Sequence, residues 1–124
     1  MTSQPNRRRV LIADNSPDLV QILGEIIRME GSLELIGHVS TGAAALERIR
    51  AEPVDVLLLD LGLEDCHGFD VLDRLVKAGS PTKVIVHTGH ASDELRAHAK
   101  RKGAAGYVVK SGNVDELLAA IRGA

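Results

Sequence analysis

Four apolar runs in this chain stop at, or just short of, a residue equipped for chemistry. Val10–Ala13 leads into Asp14 and Asn15, Val56–Leu59 into Asp60, Val84–Val86 towards Thr88, and Tyr107–Val109 into Lys110. Two carboxylates brought together repel unless a cation joins them, and a hard divalent ion with octahedral oxygen coordination, Mg2+ above all, is the usual partner. An ion held by one or two carboxylates keeps positions open for phosphate oxygens. A threonine hydroxyl and a lysine ammonium supply a donor and a point charge for the same phosphate. An aspartate carboxylate is also a competent nucleophile at phosphorus. Asp14, Asp60, Thr88 and Lys110 taken jointly therefore point to phosphoryl chemistry, although a lone Asp at a strand end is more often a cap and a lone Lys a solvated surface group.

These residues meet only if the runs lie side by side, and the rest of the chain provides for that. Short apolar runs alternate with helix-period segments, the pattern of βα repetition and a parallel sheet. Ser16 and Pro17 read as N-cap and first turn of a helix carrying Leu19, Ile22, Leu23 and Ile26, stopped by Gly31. Leu33–Val39 alternates, with Leu33, Leu35 and Val39 on one face, as an edge strand does. Thr41 and Gly42 open a second helix that Pro53 ends, and Phe69, Leu72, Leu75 and Val76 mark a third, closed by Gly79. Ser92 caps a fourth helix whose side chains, Leu95 apart, are chiefly alanines and charged or polar groups, so its outer face is weakly tied down. Asn113 and Glu116 form a capping box for a last helix with Val114, Leu117, Leu118 and Ile121. Residues 1–8 read as a flexible tail and 9–124 as one domain. In an open parallel sheet ligands bind outside the carboxyl ends of the strands, where all the residues named above fall.

Composition excludes several classes. With 15 basic and 17 acidic residues the net charge is -2, which offers no basic field to draw the chain onto nucleic acid or anionic lipid. Cys66 is the only cysteine, so neither an internal disulfide nor a cysteine-based zinc site can form within one chain, consistent with a reducing, cytoplasmic setting. No apolar stretch is long enough to span a bilayer. Five histidines are present, with His87 and His90 flanking Thr88, but none shows the paired spacing of a transition-metal site. No nucleophile elbow or ordered triad is visible.

The segments Val-Leu-Ile-Ala-Asp-Asn-Ser-Pro (10 to 17), Asp-Val-Leu-Leu-Leu-Asp-Leu (55 to 61), His-Thr-Gly (87 to 89) and Gly-Tyr-Val-Val-Lys-Ser (106 to 111), with Gly68 between them, resemble response-regulator receiver domains of bacterial two-component systems. The resemblance runs from about Arg9 to the C-terminus. It implies an α/β fold, a flavodoxin-like doubly wound parallel sheet of five strands in the order 2-1-3-4-5. It implies a signalling phosphoacceptor rather than an enzyme, with Asp60 as acceptor, Asp14 as a metal-site acid acting through water, and the Gly62 carbonyl as a further Mg2+ ligand. Thr88 and Lys110 would grip the phosphoryl group, and Tyr107 would be the switch aromatic that follows Thr88. A histidine kinase or histidine phosphotransfer protein is the implied donor. The fourth helix, fifth strand and last helix are the implied surface for an output partner or a homodimer.

Three positions depart from the family pattern. Asn15 stands where a second acid usually contacts the metal, and offers a carbonyl oxygen without charge. Glu64 replaces a common proline in the loop after Asp60. Ser111 after Lys110 resembles the receivers attached to helix-turn-helix domains. Asn15 favours one alternative, a pseudo-receiver that binds partners without phosphorylation. A second alternative, a small flavodoxin-like cofactor carrier, lacks the Gly-rich phosphate loop it would need.

Overall fold

Apolar residues at alternating and helical spacing sort onto the two faces of a single sheet in the computed structural model, which describes residues 7–124. The elements run β1 (Arg8–Ala13), α1 (Pro17–Met29), β2 (Leu33–Val39), α2 (Gly42–Ala51), β3 (Val56–Leu59), α3 (Gly68–Lys77), β4 (Lys83–Thr88), α4 (Asp93–Arg101), β5 (Gly106–Val109) and α5 (Val114–Gly123). All strands are parallel, in the order β2-β1-β3-β4-β5, so the expected topology stands. The tail expected over residues 1–8 lies outside the described residues except for Arg7 and Arg8, and these two join the fold. Arg8 opens β1 by donating its N–H to the Ser32 carbonyl, and the Arg7 guanidinium donates to the Leu33 carbonyl at 2.7 and 3.3 Å.

The sheet separates two cores. Val10, Ile12, Val56, Leu58, Ile85 and Val108 meet Leu23 and Ile27 of α1 and Leu117 and Ile121 of α5. Leu11, Leu57, Leu59, Val84 and Val86 face the other way, onto Ala45 of α2, Phe69, Leu72 and Leu75 of α3 and Ala99 of α4. β3 is buried on both faces, which is why it reads as an unbroken apolar run rather than an alternation. Each fully buried Leu or Ile contributes roughly 1.5–3 kcal/mol, so these layers anchor the strand ends firmly.

β2 departs from its expected alternation. Val10 of β1 pairs with Leu35, but Leu11 pairs with Gly37, so one extra residue is inserted. A bulge reverses the parity of the pleat beyond it. Leu33 and Leu35 face the α1–α5 core, whereas Ile36 and Val39 face the opposite one. Gly37, at φ 150°, supplies the backbone the bulge requires, and Arg48 of α2 donates to the Ile36 carbonyl at 2.7 Å.

Most helix starts follow their sequence signals. Thr41 accepts from the Ala44 N–H and Ser92 from the Leu95 N–H, both at 3.1 Å. Ser16 holds the N-cap position of α1 and Pro17 its first turn, but the Ser16 side chain makes no capping bond. Asn113 accepts from the Asp115 N–H at 2.6 Å, and no bond from Glu116 completes a box among the described residues. Val76 is exposed, and Val71 takes its place on the buried face of α3. Ala99 is the only buried residue of α4, so that helix is held lightly, as its composition implies.

Candidate functional site

The strand ladder delivers two carboxylates to one place. The Asp14 N–H is donated to the Val39 carbonyl at 3.0 Å and the Asp60 N–H to the Ala13 carbonyl at 2.9 Å, so both residues continue the sheet by one step. Both are buried, at 3% and 8% exposure. Lys110 continues β5 in the same way, its N–H donated to the Thr88 carbonyl at 2.7 Å. Its ammonium stands 3.0 Å from Asp14 Oδ2 and 3.4 Å from Asp60 Oδ1, bridging the two carboxylates. Asp14 Oδ1 accepts the Ser16 N–H at 2.9 Å, a carboxylate bonding the backbone two residues on at the entry to α1.

A cleft of about 370 Å³ opens beside Asp60, lined by Gly62, His67, Thr88, Gly89, His90 and Leu95. Thr88 is fully buried, and its hydroxyl accepts the His90 N–H at 3.3 Å. The Tyr107 phenol donates to the His90 carbonyl at 2.7 Å, so one residue's backbone joins Thr88 to Tyr107. Asn15 is exposed and lines a different hollow, of about 450 Å³, with Asp14, His38 and Glu64. Asp14, Asp60, Thr88, Gly62 and Lys110 thus form one neighbourhood, Tyr107 touches it through His90, and Asn15 borders it only on the Asp14 side.

The donors suit a small hard cation. Two carboxylates are already joined by a positive charge, the Lys110 ammonium, in the role a metal ion would take. Among the described residues no group of three or more His, Cys, Asp or Glu side chains could hold a metal ion. That is no obstacle to Mg2+, which is commonly bound by one or two carboxylates with water and phosphate oxygens completing the shell.

The loop after Asp60 is held at both ends. The Gly68 N–H is donated to the Leu61 carbonyl at 2.8 Å, and Asp65 accepts the first two N–H groups of α2, from Gly42 at 2.6 Å and Ala43 at 3.1 Å. Those bonds hold the Asp65 carboxyl below its usual range. Cys66 packs beside Gly42, and burial pushes its thiol up, the opposite of a reactive cysteine.

His87 is the residue that periodicity could have flagged, because it follows Ile85 by two in β4 and so shares that residue's face. It is buried, and its Nδ1 is the one buried side-chain nitrogen or oxygen without a hydrogen-bond partner among the described residues. Burial, then the charge of Lys110, lower its pKa from 6.5 to about 4, against an opposing pull from Asp14. Between those values the unfolded chain binds the proton and the folded one does not, so stability present above pH 6.5 is lost as pH falls towards 4. Thermal melts across that window are expected to drop by roughly 5–10 °C more in the native chain than in His87→Leu. Equal slopes would assign the loss to other groups.

Comparison with known proteins places residues 10–122 within the reach of the family described as response regulator receiver domain. The chain is 33% identical over 114 residues to the uncharacterized transcriptional regulatory protein YvfU of Bacillus subtilis, covering 92% of this chain and 57% of that one. It is 36% identical over 115 residues to the transcriptional regulatory protein KdpE of Mycobacterium tuberculosis, covering 93% and 50%. Among solved structures, a CheY-like response regulator receiver domain protein from Methanospirillum hungatei superposes with a TM-score of 0.83 at 29% identity, over 94% of this chain and 92% of that one. The chain spans about half the length of the curated relatives it matches.

Proposed function

The chain belongs to the response regulator receiver domain family of two-component signalling, and from that premise we propose that it accepts a phosphoryl group on Asp60 and switches the surface formed by α4, β5 and α5. The observation that carries this reading is the Lys110 ammonium bridging two buried carboxylates beside a cleft that also holds Thr88. Of the two, Asp60 lines the cleft that holds Thr88 and has the more exposed side chain, 11% against 2%, whereas Asp14 borders the other hollow, which favours Asp60 as the acceptor. Its free carboxylate oxygen attacks phosphorus as the bond from phosphorus to the donor's imidazole nitrogen breaks, the imidazole stays with the donor as leaving group, and Lys110 and the Thr88 hydroxyl neutralise and orient the transferred oxygens. Asp14, Asp60, the Asn15 side-chain carbonyl and the Gly62 backbone carbonyl would hold Mg2+, which when bound supplies charge neutralisation for the entering phosphate. Because Asn15 brings no charge, metal affinity is set mainly by Asp14 and Asp60.

Once Thr88 turns to the phosphate, its bond to the His90 N–H is given up, and the His90 carbonyl that anchors Tyr107 moves with it. A histidine kinase or histidine phosphotransfer protein is the fitting donor, and an output partner or a second copy of the chain the fitting reader of the switched surface. No helix among the described residues is long and apolar enough to cross a membrane.

Intact-mass measurement after incubation with a small phosphodonor and Mg2+ tests the reading. One added phosphoryl group is expected on the native chain and none on Asp60→Asn. A pseudo-receiver, the reading that Asn15 favours, gives no addition on either. A gain on Asp60→Asn overturns the assignment of the acceptor.

A further inference from the structure

Tyr107 is gripped from outside as well as from within. Its phenol donates to the His90 carbonyl at 2.7 Å, its ring lies 4.8 Å below the Arg96 guanidinium carbon, and its backbone carbonyl accepts from Arg96 Nη1 at 2.9 Å. Arg96 is an exposed residue of α4, the helix with a single buried side chain, whereas Tyr107 is 7% exposed. One guanidinium thus covers the ring face and holds the carbonyl of the same residue, a combination a lysine's point charge cannot reproduce.

We propose that Arg96 is a positioning residue that clamps Tyr107 in its buried position and ties α4 to the state of that ring. The consequence is a continuous path of named contacts: the Thr88 hydroxyl to the His90 N–H, the His90 carbonyl to the Tyr107 phenol, and the Tyr107 ring and carbonyl to Arg96 on α4. The Tyr107 ring cannot leave its site without giving up its contact with the Arg96 guanidinium, which stays bonded to the Tyr107 backbone carbonyl, and α4 has few other contacts to hold it. Lys102 tethers the far end of α4 to Asp73 of α3, so release of Arg96 frees the N-terminal half of the helix in particular. The clamp holds wherever Tyr107 is buried, and its signalling consequence rests on the phosphoacceptor reading of Asp60.

The chain has one tyrosine and no tryptophan, so its ultraviolet emission reports Tyr107 alone. In the full chain without phosphodonor, Arg96→Ala is expected to raise the acrylamide quenching constant of that emission about threefold, in line with loss of a cation–π contact and a charge-assisted hydrogen bond. Amide exchange in the first two turns of α4 should quicken in the same variant. Arg96→Lys should fall between it and the native chain. Arg101→Ala removes an equal charge from the same helix and should leave both readouts at native values. Unchanged quenching and exchange in Arg96→Ala overturn the proposal, as does an equal response in Arg101→Ala. These arms contain no phosphoryl group, so they decide the clamp even if Asp60 accepts nothing. Failure of beryllofluoride with Mg2+ to alter quenching in the native chain would count against the Asp60 reading instead.

Discussion

Replacing Lys110 with methionine is expected to lower the melting temperature by roughly 10 °C in the presence of a chelator, the equivalent of about 2–3 kcal/mol for a domain of this size. Methionine keeps the length and apolar stem of the side chain, so the loss falls on the charge. Without it, Asp14 and Asp60 face each other nearly dry, having shared an ammonium at 3.0 and 3.4 Å. Removing one partner of a buried ionic group costs about 3–5 kcal/mol, and the partial exposure of Lys110 reduces that figure here. Mg2+ should then raise the melting temperature of Lys110→Met more than that of the native chain, because the native ammonium competes with the cation for the same carboxylates. Adding Asp14→Asn to Lys110→Met should recover stability in chelator by relieving the repulsion. Equal Mg2+ shifts in variant and native chain, or a further loss on adding Asp14→Asn, would mean that the three groups do not act as one unit.

Gly68→Ala is expected to cost about 3 kcal/mol and roughly 10 °C, with slower phosphorylation of Asp60. A methyl carbon at Gly68 would sit 2.5 Å from the Asp60 carbonyl oxygen and 2.9 Å from Leu61 Cα, and neither is a side-chain end that can swing away. The start of α3 must therefore shift, or the Asp60 backbone must. Gly62→Ala is the matched control in the same loop, since nothing lies within 4 Å of its added carbon. That variant should melt within roughly a degree or two of the native chain. If Gly68→Ala melts no lower than Gly62→Ala, the close approach of α3 to the Asp60 backbone is not what positions that residue.

Those contacts lay beyond sequence reasoning, whereas the order and kinds of the elements did not. Strands buried on both faces must be apolar throughout, and Val56–Leu59 announces its central place for that reason. Asp14, Asp60, Thr88 and Lys110 were legible because each stands where an apolar run ends, and a parallel sheet puts those ends together. The bulge at Gly37 was not, because one inserted residue leaves the composition of β2 unchanged while turning Val39 to the opposite core. Ser16 has the right type and place for a cap, yet its side chain makes no capping bond, and its N–H is taken by Asp14 two residues back. Arg96 reads as one more charge on a polar helix, because its contacts with Tyr107 are made across the gap between α4 and β5. The bulge and the Arg96 contacts depend on tertiary geometry, which no local pattern records.

An aspartyl phosphate, unlike a free aspartate, is reduced by borohydride to homoserine, which marks the acceptor permanently. Treating the chain with a small phosphodonor and Mg2+, reducing it, and sequencing its peptides by mass spectrometry therefore identifies the residue that carried the phosphoryl group. Homoserine is expected at position 60 alone, and only when donor and Mg2+ are both present. Homoserine at position 14 or elsewhere, or an intact aspartate at position 60 after full treatment, would contradict the assignment of Asp60 as the phosphoacceptor.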